Sequence, residues 1–166
     1  KIIALTDLKK YLVHDKTFIY VDVGGGSTEL TIYSKGKSVL SKSFKIGTVR
    51  LINELVPDSI WNQMKLWIKE HTKKYNQITL LGTGGNINST YKFSGTKLGK
   101  PLSYHYLKKY FRTVESFSYE ERISKLNMNL DRADVILPAL NIYISAMKWS
   151  GAKEIYVPKI GLSDGI

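Results

Sequence analysis

Apolar positions cluster in short, β-branched blocks early in the chain and then spread to helical spacing. Phe18 to Val23 is one such block; it stops at three glycines, and the pattern resumes from Thr28 to Ser34 with Leu30, Ile32 and Tyr33. Blocks of this length bounded by glycine turns read as strands. Lys35-Gly36-Lys37 is the next turn, and Ser38 to Ile46 a third strand, with Val39 and Leu40 expected on the core side. Together they predict an antiparallel meander. A helical stretch follows from Thr48 to about Leu55, and Pro57-Asp58-Ser59 breaks it and offers an N-cap to the next helix. That helix runs to about Lys74, with Ile60, Met64, Trp67 and Ile68 as its apolar stripe.

Gln77 to Leu81 is a short strand, and Gly82-Thr83-Gly84-Gly85-Asn86 turns it into a helix from Ile87 to Tyr91. Residues 93–103 read as an irregular excursion, because they hold two glycines and a proline. Helices follow near 104–113 and 118–126. Asp131 then caps a long helix from Arg132 to Trp149, striped by Val135, Ile136, Leu140, Ile144 and Met147. Pro138 predicts a kink or break in it, and Gly151 ends it. Glu154 to Val157 is the last strand, and a third glycine-bearing turn over 160–165 opens a further helix. Residues 1–14 form an amphipathic helix with Leu5, Leu8, Leu12 and Val13 on one side. Strands separated by helices predict an α/β fold: a mixed sheet of about five strands with helices on both faces. The three glycine turns are expected at one edge of it, where such sheets hold ligands.

Composition narrows the partners. The chain has 166 residues and a formal charge of +11. That surplus suits nucleic acid, an acidic surface or a polyanionic substrate, and equally a set of solvated lysine-rich faces. Lys97, Lys100, Lys108, Lys109 and Arg112 form a loose basic group interleaved with Tyr104, Tyr106 and Tyr110. Tyr106 and Tyr110 are expected on one helix face rather than as base-stacking platforms. There is no cysteine, which removes disulfides and thiolate metal sites. No apolar run is long enough to span a membrane, no nucleic-acid motif is present, and a cytoplasmic location is expected. The chain begins at Lys1 without Met, so a longer parent is expected.

The chemistry concentrates around the first glycine turn. Asp22 stands before Gly24-Gly25-Gly26 and Ser27-Thr28-Glu29 after it. Bare glycines let successive amides converge on an anion, and Ser27 and Thr28 add hydroxyl donors. Asp22 is placed to hold a divalent cation beside that anion. A hairpin turn alone needs one or two glycines. The Walker pattern is excluded, since no Gly-Lys-Ser/Thr follows and a strand replaces the expected helix. The second turn, Gly82 to Gly85, has the strand–glycine–helix order that binds phosphate, and also suits a tight crossover. His14, His71 and His105 have no metal-ligand spacing.

These segments together resemble the exopolyphosphatase/guanosine pentaphosphate phosphohydrolase (Ppx/GppA) family of the actin-like ATPase superfamily. The resemblance rests on Val21 to Glu29, Gly82 to Gly85, Glu121-Arg122, Arg132 to Pro138, Ile155-Tyr156-Val157 and Gly161 to Gly165, in family order. It implies a ribonuclease-H-like domain over 17–166, the second of two, with 1–16 as an N-terminal helix or interdomain segment. Two departures stand out: Ser163 where many relatives have Arg, and Ala139 where Gly is usual.

The resemblance implies hydrolysis of polyphosphate or guanosine pentaphosphate with Mg²⁺ or Mn²⁺, by a protein that pairs with its own first domain and forms a homodimer. The domain alone is expected to be inactive. Glu29 becomes the catalytic carboxylate that orients the attacking water or the metal shell, and Asp22 the metal ligand. Gly24, Gly25, Gly26, Ser27, Thr28, Gly82, Thr83, Gly84, Gly85 and Arg132 become the phosphate contacts. Arg132 serves equally well as a helix-start partner of Asp134, and Arg122 has the same two readings. The departure at Ser163 motivates an alternative, a non-catalytic sensor that binds polyphosphate or guanosine polyphosphates. A kinase or ATPase of the same superfamily is a third reading.

Overall fold

The computed structural model describes residues 16–158. The expected N-terminal helix and the third glycine turn with Ser163 lie outside them.

Among the described residues six strands form one sheet: β1 (Thr17–Val23), β2 (Thr28–Ser34), β3 (Lys37–Phe44), β4 (Ile78–Thr83), β5 (Leu102–Ser103) and β6 (Glu154–Tyr156). Their order is β3-β2-β1-β4-β6-β5. β1, β2 and β3 make the expected antiparallel meander, and β1, β4 and β6 run parallel. The sixth strand, β5, is two residues long and pairs antiparallel with β6 inside the excursion read as irregular. Its hydrophobic signal is a single buried Leu102, too little to read as a strand.

The described helices are α1 (Thr48–Ile52), α2 (Asp58–Thr72), α3 (Gly85–Ser94), α4 (Tyr104–Ser116), α5 (Tyr119–Ser124) and α6 (Leu130–Ser150). α6 packs against each of the others and against β1 and β4. Ala133, Ile136, Ala139, Leu140, Ile142, Tyr143, Ala146 and Met147 are all buried. The helix is therefore covered on most of its circumference, wider than the stripe expected, and Val135 and Ile144 are only half-buried. Pro138 sits within it without dividing it. Asp131 lies in its first turn; Asn129 flanks the start, and no side chain caps it. α2 likewise starts at Asp58 without a side-chain cap. Its stripe is as expected, with Met64, Trp67 and Ile68 buried.

The described helices gather on the sheet face that carries Ile19, Val21, Leu30, Ile32 and Leu80. The opposite face holds Phe18 and Leu81, with Tyr20, Tyr33 and Tyr156 around them. The expectation for β3 needs correction. Only Phe44 is buried there, edge-on to Trp67 at 5.9 Å. The register with β2 skips Val39, a bulge that turns it outward to 51% exposure. Leu40 pairs with Ile32, yet is 37% exposed because β3 is the edge strand and the helices do not reach it. Tyr106 and Tyr110 do share a face, stacked at 6.0 Å. No described helix is long and apolar enough to cross a membrane.

Arg122 proves structural. Its Nε donates to Val114 O and Phe117 O and its Nη1 to Ala133 O, each at 3.1 Å, tying the end of α4 to the start of α6. Glu121 beside it closes a capping box with Ser118 and pairs with Lys125 at 2.9 Å. Replacing Arg122 with Leu removes three hydrogen bonds and leaves Phe117 O without a donor among the described residues, while Val114 O keeps Phe117 N at 3.1 Å. Chemical unfolding of that variant should show a loss of about 2–3 kcal/mol, with ligand binding by the folded fraction unchanged.

Candidate functional site

The antiparallel register sets Asp22 of β1 opposite Glu29 of β2. Directly opposed residues project to the same face, with Cβ atoms roughly 5 Å apart. Strand alternation puts both on the side of Phe18 and Tyr20, away from the helical core. Asp22 is half-buried and Glu29 exposed. Burial, and then the Glu29 charge, push the Asp22 carboxyl above the usual range. Neither carboxylate has a hydrogen-bond or ion-pair partner among the described residues.

Between them runs the loop Gly24–Ser27. Gly24 N donates to Ser27 O at 2.9 Å. The amides of Gly25, Gly26 and Ser27 donate to nothing among the described residues. α1 holds the loop from behind: Thr48 N donates to Gly24 O at 3.0 Å, and Val49 N and Arg50 N to Gly25 O at 3.0 and 3.3 Å. Arg50 Nε donates to Gly26 O at 2.7 Å. This approach explains Gly47, where a Cβ would run into the backbone of Gly25 and Gly26. None of the three loop glycines has a positive φ, so conformational freedom is not the reason for them.

β4 brings the second glycine turn alongside, with Thr83 beside Asp22 in the parallel register. Thr83 Oγ1 donates to Tyr20 Oη at 2.9 Å, and Tyr143 Oη donates to Thr83 O at 2.6 Å. Gly84 at φ 123° turns the chain into α3. Arg132 reaches across from α6 and covers Gly85 so closely that a Cβ there would strike its Nη2. Its Nη1 donates to Asn86 Oδ1 at 2.7 Å. Burial lowers the Arg132 pKa, against the pull of Asp131. A half-buried guanidinium beside the positive end of a helix makes this corner attractive to an anion. A cavity of about 1360 Å³ opens here, lined by Tyr20, Asp22, Thr83, Gly84, Gly85 and Arg132 among others.

The structure thus brings Asp22, Glu29, Gly24, Gly25, Gly26, Ser27, Thr83, Gly84, Gly85 and Arg132 to the strand ends of β1, β2 and β4. Two expected contacts fall away. Thr28 is fully buried, and its hydroxyl donates to Ile46 O at 2.6 Å. Gly82 faces the core, where a Cβ would lie 2.7 Å from Ile155 Cδ1; it is a packing glycine. Arg132 takes Asn86 rather than Asp134 as its partner. His71 packs on Trp67 at 5.2 Å, His105 is exposed, and no group of three or more metal-ligating side chains is found among the described residues.

Sequence reasoning missed Arg50, Tyr20, Asn86 and Tyr143. Tyr143 carried a signal, since it continues the α6 stripe from Ile136 and Leu140 to Met147 with a hydroxyl that needs a partner. Arg50 carried only Gly47 shortly before it.

The sequence profile described as the Ppx/GppA phosphatase family matches residues 2–166. No curated protein matches the chain. Among solved structures, the type II variant of the Aquifex aeolicus Ppx/GppA phosphatase is 24% identical with a TM-score of 0.70, over 97% of this chain and 59% of its own. An exopolyphosphatase from Cytophaga hutchinsonii ATCC 33406 is 20% identical with a TM-score of 0.72, over 89% of this chain and 54% of its own. The chain therefore spans less than two thirds of the length of these structures, and the likeness to them is one of fold.

Proposed function

The chain belongs to the Ppx/GppA phosphatase family, and from this premise we propose that the complete protein hydrolyses a phosphoanhydride, releasing terminal phosphate from polyphosphate or guanosine pentaphosphate. The observation that carries this reading is the loop of three amides, Gly25, Gly26 and Ser27, lying directly between two carboxylates, all of them without a partner among the described residues. Amides in a nest favour an anion, and paired carboxylates favour a cation. A metal-bound polyphosphate group presents both. At Gly26 neither a positive φ nor a neighbour nearer than 4.0 Å demands glycine. Room for an outside anion is a sufficient reason for it.

Phosphoryl transfer to water is chiefly a matter of positioning and charge neutralisation. The amides of Gly25, Gly26 and Ser27, with the Ser27 hydroxyl, hold the phosphate oxygens. Arg132 and the first turn of α3 receive the neighbouring phosphate from the β4 side. Glu29, exposed at the edge, orients the attacking water and accepts its proton. Asp22 holds Mg²⁺ directly or through water, or Mn²⁺ in its place. The donor set fits: Mg²⁺ is usually held by one or two carboxylates plus substrate phosphates and waters rather than by an all-protein cage. When bound, the ion neutralises phosphate charge and acidifies a coordinated water. A first domain supplies the opposite wall, and the +11 charge favours a polyanionic substrate.

Phosphate release by the complete protein, on long-chain polyphosphate and on guanosine pentaphosphate side by side with Mg²⁺, tests this reading. Release from either supports it and names the substrate. Saturable binding of either without release rejects hydrolysis and leaves the sensor reading, with Ser163 the first residue to restore to Arg.

A further inference from the structure

A trans peptide points its C=O and N–H in opposite directions. The carbonyls of Gly24, Gly25 and Gly26 all face α1, accepting from Thr48 N, from Val49 N and Arg50 N, and from Arg50 Nε respectively. The amides joined to those carbonyls, on Gly25, Gly26 and Ser27, therefore face away from α1. The outward nest is a consequence of how α1 holds the other side of the loop.

The three peptides are not held alike. The first two carbonyls accept from backbone amides, which nearly any sequence supplies. The third, Gly26 O, is held by one side chain, Arg50, at 2.7 Å. Glycine at position 26 lowers the barrier to rotating this peptide, since no Cβ restricts its ψ. Rotation would turn the Ser27 amide inward and put a carbonyl in the nest, facing the anion. The Arg50 charge also lies on the carbonyl side, where it polarises the peptide and strengthens its amide as a donor. Arg50 Nη1 and Nη2 have no partner among the described residues, so Nε alone makes the contact.

We propose that Arg50 is a positioning residue for anion binding: its bond to Gly26 O keeps the Gly26–Ser27 peptide turned so that the Ser27 amide faces the anion. The inference rests on the phosphatase reading, in which that loop holds phosphate. It assigns Arg50 a role through the loop and not through direct contact with the ligand.

The test compares Arg50→Met and Arg50→Lys in the complete protein. A lysine Nζ can reach Gly26 O with its charge, whereas methionine cannot. In Arg50→Met, kcat/KM for inorganic tripolyphosphate should fall about 10- to 100-fold, the scale of losing one hydrogen bond to a charged group. Arg50→Lys should stay within about threefold of wild type. In ¹H–¹⁵N spectra, tripolyphosphate should shift the Ser27 amide downfield in wild type and Arg50→Lys, but not in Arg50→Met. Wild-type kcat/KM and an unchanged Ser27 shift in Arg50→Met overturn the proposal. Equal losses in Arg50→Met and Arg50→Lys also overturn it, because they assign Arg50 a bidentate ligand contact. If wild type itself releases no phosphate and shows no amide shift, the phosphatase reading fails and this inference goes with it.

Discussion

Glu29→Gln should lower kcat by about 10²- to 10⁴-fold, the usual range for removing a general base, while substrate affinity changes little. The substitution keeps the shape of an exposed side chain at the start of β2 and removes only its charge and proton-accepting capacity. Its backbone pairing with Asp22 and Ser43 is unaffected, so the fold should be preserved. Steady-state kinetics on tripolyphosphate, with binding measured separately by calorimetry, reads both quantities. A loss confined to affinity would move Glu29 from the chemistry to substrate binding.

Asp22→Asn should have two effects of opposite sign. Activity should fall about 100-fold or more and lose its Mg²⁺ dependence, because several kcal/mol of charge neutralisation depends on the ion. Without metal, the fold should become more stable at neutral pH. The sign follows from linkage. Asp22 has its pKa raised by burial and by Glu29, so the folded state retains this proton to higher pH than the unfolded chain. Stability is therefore lost as pH rises from the unfolded pKa through the raised one, and the deficit persists at pH 7. Asparagine removes the deficit. Thermal unfolding should show the variant melting above metal-free wild type at pH 7, with the gap closing toward acid. Mg²⁺ should raise the melting temperature of wild type only. A variant that melts lower, or that still responds to Mg²⁺, contradicts the assignment.

Most of the fold was legible because the local signals agreed with the tertiary outcome. β1 and β2 appeared with nearly their observed limits, since Phe18 to Val23 and Thr28 to Ser34 are β-branched blocks closed by glycines. α6 was legible as a helix, but not as the central one. Its apolar residues fill more than one face, and a periodicity argument looks for one. β3 misled because Val39 and Leu40 have the composition of core residues; the bulge and the edge position that expose them depend on β2 and on the reach of the helices.

The site shows the same division. Asp22, Glu29 and the three glycines were legible from their order along the chain. Thr28 was misassigned because its neighbour Ser27 faces the loop, and one residue's shift in a strand reverses the side. Gly82 looked like its neighbours Gly84 and Gly85, yet it still lies within β4, two residues before Gly84, over Ile155 and Tyr143. Arg50 was hidden because its contact with Gly26 spans 24 residues. No local pattern encodes a contact of that kind.

The most direct test of the central claim is phosphate release from polyphosphate by the complete protein in H₂¹⁸O, with and without Mg²⁺. Attack by water on the terminal phosphorus predicts one ¹⁸O in each released phosphate, in a reaction that requires Mg²⁺ and nearly disappears in Glu29→Gln. Absence of release, or phosphate transferred to a nucleotide acceptor without label, would contradict hydrolysis at this site.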